Sequence, residues 1–220
     1  MKSLLRDNSL LLVLLLLFAA SFTGQVFAGW SQENETLAQH GKPLLGAWAF
    51  LSGGEFLSAV FENWESEFLQ MWAYVVLTAY LFQRGSPESK DPDGPAPQDR
   101  DPALDAGRSD APGPVRRGGW PARLYGHSLG LVLLALFLAS FALHWVNSAR
   151  NQAEEAAEHG DAAPSLIEHL GSSQFWFESF QNWQSEFLST AVLVVLAIWL
   201  REKGSPESKP VSAPHGKTGT

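Results

Sequence analysis

Hydrophobic residues in this chain fall into two long runs and two shorter ones. Leu10 to Phe22 and Leu129 to Val146 contain no Lys, Arg, Asp or Glu. Crossing a hydrocarbon core of about 30 Å takes about 20 residues of helix, so residues 10–28 and 128–146 read as spans. The shorter runs, Phe68 to Phe82 and Phe187 to Leu200, hold only about 15 residues, below the usual 17. A spanning helix that ends near Phe82 must therefore begin near Asn63, which gives expected second spans of 63–83 and 182–201. That start draws a polar stripe toward the membrane. Asn63, Ser66, Glu67 and Gln70 are spaced i, i+3, i+4 and i+7 and share one helix face, while Phe61, Trp64 and Phe68 follow an apolar one. Asn182, Ser185, Glu186 and Ser189 repeat the stripe.

The four runs are two copies of one unit. Ser9 to Lys90 aligns without a gap on Ser128 to Lys209, with about 34 of about 82 positions identical. The expected fold is an all-α membrane protein with four transmembrane helices, made from two parallel two-helix repeats in pseudo-two-fold symmetry about the membrane normal. The first repeat takes residues 1–90 and the second 124–209. Residues 91–123 lie in a stretch rich in Pro, Gly, Asp and Ala and are expected to form a disordered cytoplasmic linker, as is the tail 210–220.

Charge sets the expected orientation. Lys2 and Arg6 precede the first span, Arg84 to Arg123 supply seven basic residues between the second and third, and Arg201, Lys203, Lys209 and Lys217 follow the fourth. The two remaining loops are acidic, with Glu33, Glu35, Glu55, Glu154, Glu155, Glu158, Asp161 and Glu168 against Lys42 and Arg150. Basic loops stay on the cytoplasmic side, so both termini are expected there. Lys2, Arg6 and the small-residue site around Ala28 imitate a cleaved secretory signal. The counterpart of this segment deep in the chain favours a retained span. A net charge of −8 without any basic, aromatic-interleaved patch excludes nucleic acid as an expected partner. With no cysteine there is no disulfide framework and no thiol chemistry.

Several motifs carry candidate chemistry. Glu67 and Glu186, facing each other across the pseudo-two-fold, would share a proton in low dielectric and suit proton or cation movement. The alternative is that both acids reach the outer interface while the Asn and Ser side chains bond between helices. Gly85, Ser86, Pro87, Glu88, Ser89 and Lys90 recur as Gly204, Ser205, Pro206, Glu207, Ser208 and Lys209. Gly at a left-handed C′ position and Pro just beyond explain a helix stop. The identity of all six residues exceeds what a stop needs and marks a candidate cytoplasmic interaction motif. Glu35 with His40 and Glu154 with His159 are weak candidates for zinc, since residues five apart do not share a helix face. His127 and His144 flank the third span without counterparts in the first copy and are read as interfacial. Ser52 to Glu55 has the form of a capping box, with a weaker version at Gly171 to Gln174. No phosphate loop, dinucleotide fingerprint, HExxH or GxSxG is present, and no cofactor is implied.

The segments Phe61 to Gln70 and Phe82 to Lys90, with their second copies, resemble a family of small bacterial membrane proteins classed only as a domain of unknown function. The resemblance implies a multi-span protein of the bacterial inner membrane and carries over no catalytic or binding residue. The expected function is a non-enzymatic structural, assembly or stress-associated role in the bilayer, through a homo-oligomer or an unidentified protein partner. The alternative is a small proton- or cation-coupled transporter or channel using Glu67 and Glu186.

Overall fold

The computed structural model describes residues 2–219, so Met1 and Thr220, the outer ends of the first repeat and of the tail, lie outside the described residues. Among the described residues there are helices and turns but no strand. The helices are α1 (Lys2–Asp7), α2 (Ser9–Gln39), α3 (Ala47–Leu51), α4 (Gly54–Thr78), α5 (Gly113–Arg117), α6 (Gly119–Gly126), α7 (Ser128–His159), α8 (Leu166–Leu170) and α9 (Ser173–Leu196). The bounds of α2, α3 and α4 carried through the sequence alignment fall within one residue of those of α7, α8 and α9. α2 and the stretch Ser128–Ala157 of α7 are long and apolar enough to cross a membrane.

The helices differ from the expected spans at their ends. α2, of 31 residues, is about 46 Å long and runs past residue 28 to Gln39. α4 and α9 stop at Thr78 and Leu196 rather than near 83 and 201. At the end of α4 the Thr78 hydroxyl donates back to the Tyr74 carbonyl at 2.8 Å, and the next amides, Ala79 and Tyr80, bond three residues back instead of four. Such back-bonding and tightening close a helix. Glu67 therefore lies about 16 Å along the axis from the helix end, not the 22 Å that a helix reaching Phe82 implies.

The expected capping box moves. Ser52 is the C-cap of α3, where its hydroxyl donates to the Trp48 carbonyl at 3.0 Å. The reciprocal box forms instead at Ser165 and Glu168, at the start of α8. Residues 91–123, expected to lack structure, hold 3-10 turns at Pro97–Asp99 and Pro102–Asp105 together with α5 and the start of α6.

The chain forms two compact units, and each draws on both repeats. The first comprises residues up to Ala59 and Asn147–Pro164. Its centre is aromatic, with Phe56 set 4.9 Å from the ring of Phe50 and 6.1 Å from that of Phe22. Asn34 clamps the Leu45 peptide by accepting from its N–H at 2.7 Å and donating to its carbonyl at 3.2 Å, and Trp30 donates to the same carbonyl. Gly54 lets the start of α4 approach the backbone of α7 at Asn147 and Asn151.

The second unit comprises Val60–Val146 and Ser165–Thr220. Here α4, α7 and α9 meet around Phe137, Phe141, Phe175, Trp176 and Trp183, whose rings lie 5.4 to 6.3 Å from their neighbours in tilted or edge-on contacts. Such edge-to-face pairs stabilise by about 0.5–1.5 kcal/mol each beyond the area they bury.

Candidate functional site

The second unit encloses a polar cluster. His144 of α7 and Glu65 of α4 are fully buried, and Glu178 of α9 is one-fifth exposed. His144 places Nδ1 3.0 Å from Glu65 Oε2 and Nε2 3.3 Å from Glu178 Oε2. The Phe175 ring, 4.9 Å away, covers the imidazole, and the Trp183 indole N–H donates to Glu65 Oε1 at 3.1 Å. Gln174 donates to Glu178 Oε1 at 3.1 Å, one turn back along the same helix. Glu62, a turn before Glu65, accepts from the amides of Asn182 and Gln181. Three helices thus supply one network. Buried charges persist only where they are paired and hydrogen-bonded, and this arrangement meets both conditions. Beside it on α8, burial pushes the His169 imidazole below its ordinary value.

The sequence-predicted stripe is only partly drawn in. Asn182 joins the network through Glu62, while Asn63 is exposed. Ser66 and Ser185 do not bridge helices. Each donates at 2.8 Å to a carbonyl of its own helix, Asn63 and Asn182 respectively. Glu67 is exposed and Glu186 half-buried, and their charges interact. Between helices the bridging is done by Glu62, Glu65 and the contact of Gln70 with Thr190.

The six-residue motif folds as a turn whose glycine angle and serine hydrogen bonds are the same in both copies. Gly85 and Gly204 have φ of 86° and 90°. The Ser86 and Ser205 hydroxyls accept from the amides of Glu88 and Glu207 at 3.2 Å. Ser89 and Ser208 accept from Gln83 and Glu202 at 2.9 and 3.0 Å. The fully buried Lys209 ammonium donates to the carbonyls of Gly85, His215 and Lys217, and Lys90 donates to Ala79 and Asp99. Glu88 accepts from the Tyr74 hydroxyl at 3.1 Å, and burial together with Glu207 pushes its carboxyl up. The glycine angle and the two serine acceptors recur in both copies, whereas Lys90 and Lys209 bond to different partners.

A family model described as Domain of unknown function (DUF6766) matches residues 1–220. The chain belongs to that family. No curated protein and no solved structure matches it.

In this DUF6766 chain the weak zinc candidates stay apart. His40 and His159 each turn Nδ1 to a carbonyl of their own helix, Thr36 and Glu155, at 2.8 Å, and precede glycines of positive φ. Glu154 pairs with Arg150, and among the described residues no three or more His, Cys, Asp or Glu side chains are placed to hold a metal ion. Glu33, Glu55, Glu154 and Glu155 line a cavity of about 180 Å³ in the first unit, where burial and the neighbouring acids push the Glu55 carboxyl up.

One reading is corrected. Of the two histidines read as interfacial, His127 is exposed, whereas His144 is the centre of the buried cluster. The aligned position in the first copy is Gln25, and those of Glu65 and Glu178 are Gln184 and Ala59. Looking for what the copies share passes over Glu65 and Glu178, and marks His144 only as a residue without a counterpart. The signal that finds them is the reverse, an ionisable residue where the other copy has a neutral one.

Proposed function

We propose that this protein is a non-enzymatic, multi-pass component of the bacterial inner membrane with a structural or assembly role. It is built from two parallel two-helix repeats, with both termini cytoplasmic and pseudo-two-fold symmetry about the membrane normal. The observation that carries this reading is the duplicated turn. Its hydroxyl and ammonium groups are engaged in bonds within the chain, leaving the most repeated motif as scaffold. The interaction of residues at equivalent positions, Glu67 with Glu186 and Glu88 with Glu207, supports the symmetry.

The absence of cysteine from the chain suits a direct test of topology. Ser109→Cys is expected to react with an impermeant thiol reagent only after cells are opened, and Asp161→Cys in intact cells. Labelling of both from the same side would overturn the arrangement. A second reading, proton- or cation-coupled movement, is favoured by ionisable residues placed between helices. Proteoliposomes separate the two: the structural reading expects no flux above empty vesicles and normal assembly of Glu67→Gln/Glu186→Gln. Flux that this double change abolishes would replace it with the second.

A further inference from the structure

We infer that Glu65, His144 and Glu178 form a proton-transfer site, in which the imidazole carries a proton between a carboxyl that reaches the surface and one that does not. The inference stands on the second unit alone and needs neither the proposed topology nor transport.

Proton accounting is the first argument. An ionised carboxylate only accepts hydrogen bonds, and a neutral imidazole has a single N–H. Two carboxylates at the two ring nitrogens therefore require two hydrogens. One belongs to the ring, and the other is either the second N–H of an imidazolium or the O–H of one carboxyl. That second hydrogen has three places to sit: the ring, Glu65 or Glu178.

Access is the second argument. His144 and Glu65 have no exposed side-chain surface, whereas Glu178 is 20 % exposed. Exchange with water enters through Glu178. In the transfer step the O–H of a protonated Glu178 breaks as the bond from Nε2 to that hydrogen forms. The Nδ1–H then breaks as an O–H forms at Glu65 Oε2. The imidazole is left neutral in its other tautomer, and one proton has moved from Glu178 to Glu65.

The far end is closed. The other oxygen of Glu65 faces the Trp183 indole, which can donate but cannot accept a proton. The site is therefore a proton store open on one side rather than a through path. The other titratable groups facing the imidazole are Glu62 on α4 and His169 on α8.

The test uses full-length protein in detergent with 15N-labelled histidine rings, the His144 signals being assigned by their loss in His144→Gln. The His144 titration midpoint should shift by about tenfold in proton concentration in Glu65→Gln and in Glu178→Gln, and stay put in Glu186→Gln. Exchange of the ring proton, read from line broadening, should slow by about tenfold in Glu178→Gln but not in Glu65→Gln, because only the former closes the entry. Glu65→Gln keeps an acceptor for Trp183. If that variant does not fold, the partly exposed Glu178→Gln carries both measurements. An imidazole that titrates and exchanges identically in wild type and Glu178→Gln overturns the proposal.

Discussion

A methyl group on residue 54 would sit 2.8 Å from the Asn151 amide nitrogen and 3.1 Å from the Asn147 carbonyl oxygen, both backbone atoms that cannot turn aside. Gly54→Ala is expected to destabilise the first unit by about 1–3 kcal/mol, the range for forcing a carbon into a packed contact. Gly24, inside α2, has nothing within 4 Å of that methyl position. Gly24→Ala is expected to be neutral or to stabilise by up to about 1 kcal/mol through helix propensity. Thermal unfolding of the two variants in the same detergent checks the contrast, and equal melting temperatures would contradict it. The sequence treats these glycines alike. Only the neighbouring backbone of α7 tells them apart.

At the scale of an element, the six-residue motif after α4 and α9 was legible as a turn because glycine and proline act locally. The helices stop earlier, at Thr78 and Leu196, so Gly85 and Gly204 are not their C′ residues. The turn's hydrogen bonds were not legible, since they depend on where the chain goes next. Ser89→Ala and Ser208→Ala each leave one amide, of Gln83 and Glu202, without its acceptor. Each is expected to cost about 1 kcal/mol by denaturant unfolding, with the buried Ser89 the more costly. Glu88 adds a pH dependence. Its folded pKa lies above the ordinary 4.5, chiefly through burial, so the protonated carboxyl is the form that folding favours. The corresponding stabilisation is fully present below pH 4.5 and is lost as pH rises through the folded value. Glu88→Gln should therefore be more stable than wild type at pH 7 and match it at pH 4. A gap that widens on acidification would reverse the sign and refute the argument.

For the molecule as a whole, sequence repeats and folded units do not coincide. Each unit draws on both copies, and contacts such as Glu65 with His144 and Lys209 with Gly85 join residues 79 and 124 positions apart. A chain divided within 91–123 should therefore reassemble, because the buried bonds of the second unit connect the two halves. Co-expressed residues 1–105 and 106–220, only one carrying an affinity tag, are expected to purify together in detergent. Recovery of the tagged half alone would show that the covalent linker is required. The same pairing explains why the candidate site was hidden: its residues come from both copies, at positions where the copies differ.

Periodicity and apolar run length placed the helices and their recurrence but not the ends of α4 and α9, because these properties depend on residues a few positions apart. The resemblance carried by Phe61 to Gln70 and Phe82 to Lys90 led to the family. Helix rotation and long-range pairing belonged to the tertiary structure. A helix rotates 100° per residue, so Glu65 and Glu67 lie about 200° apart on nearly opposite faces of α4, and the helices packed against it decide which of the two faces inward. The fold turned Glu65 to His144 and left Glu67 exposed.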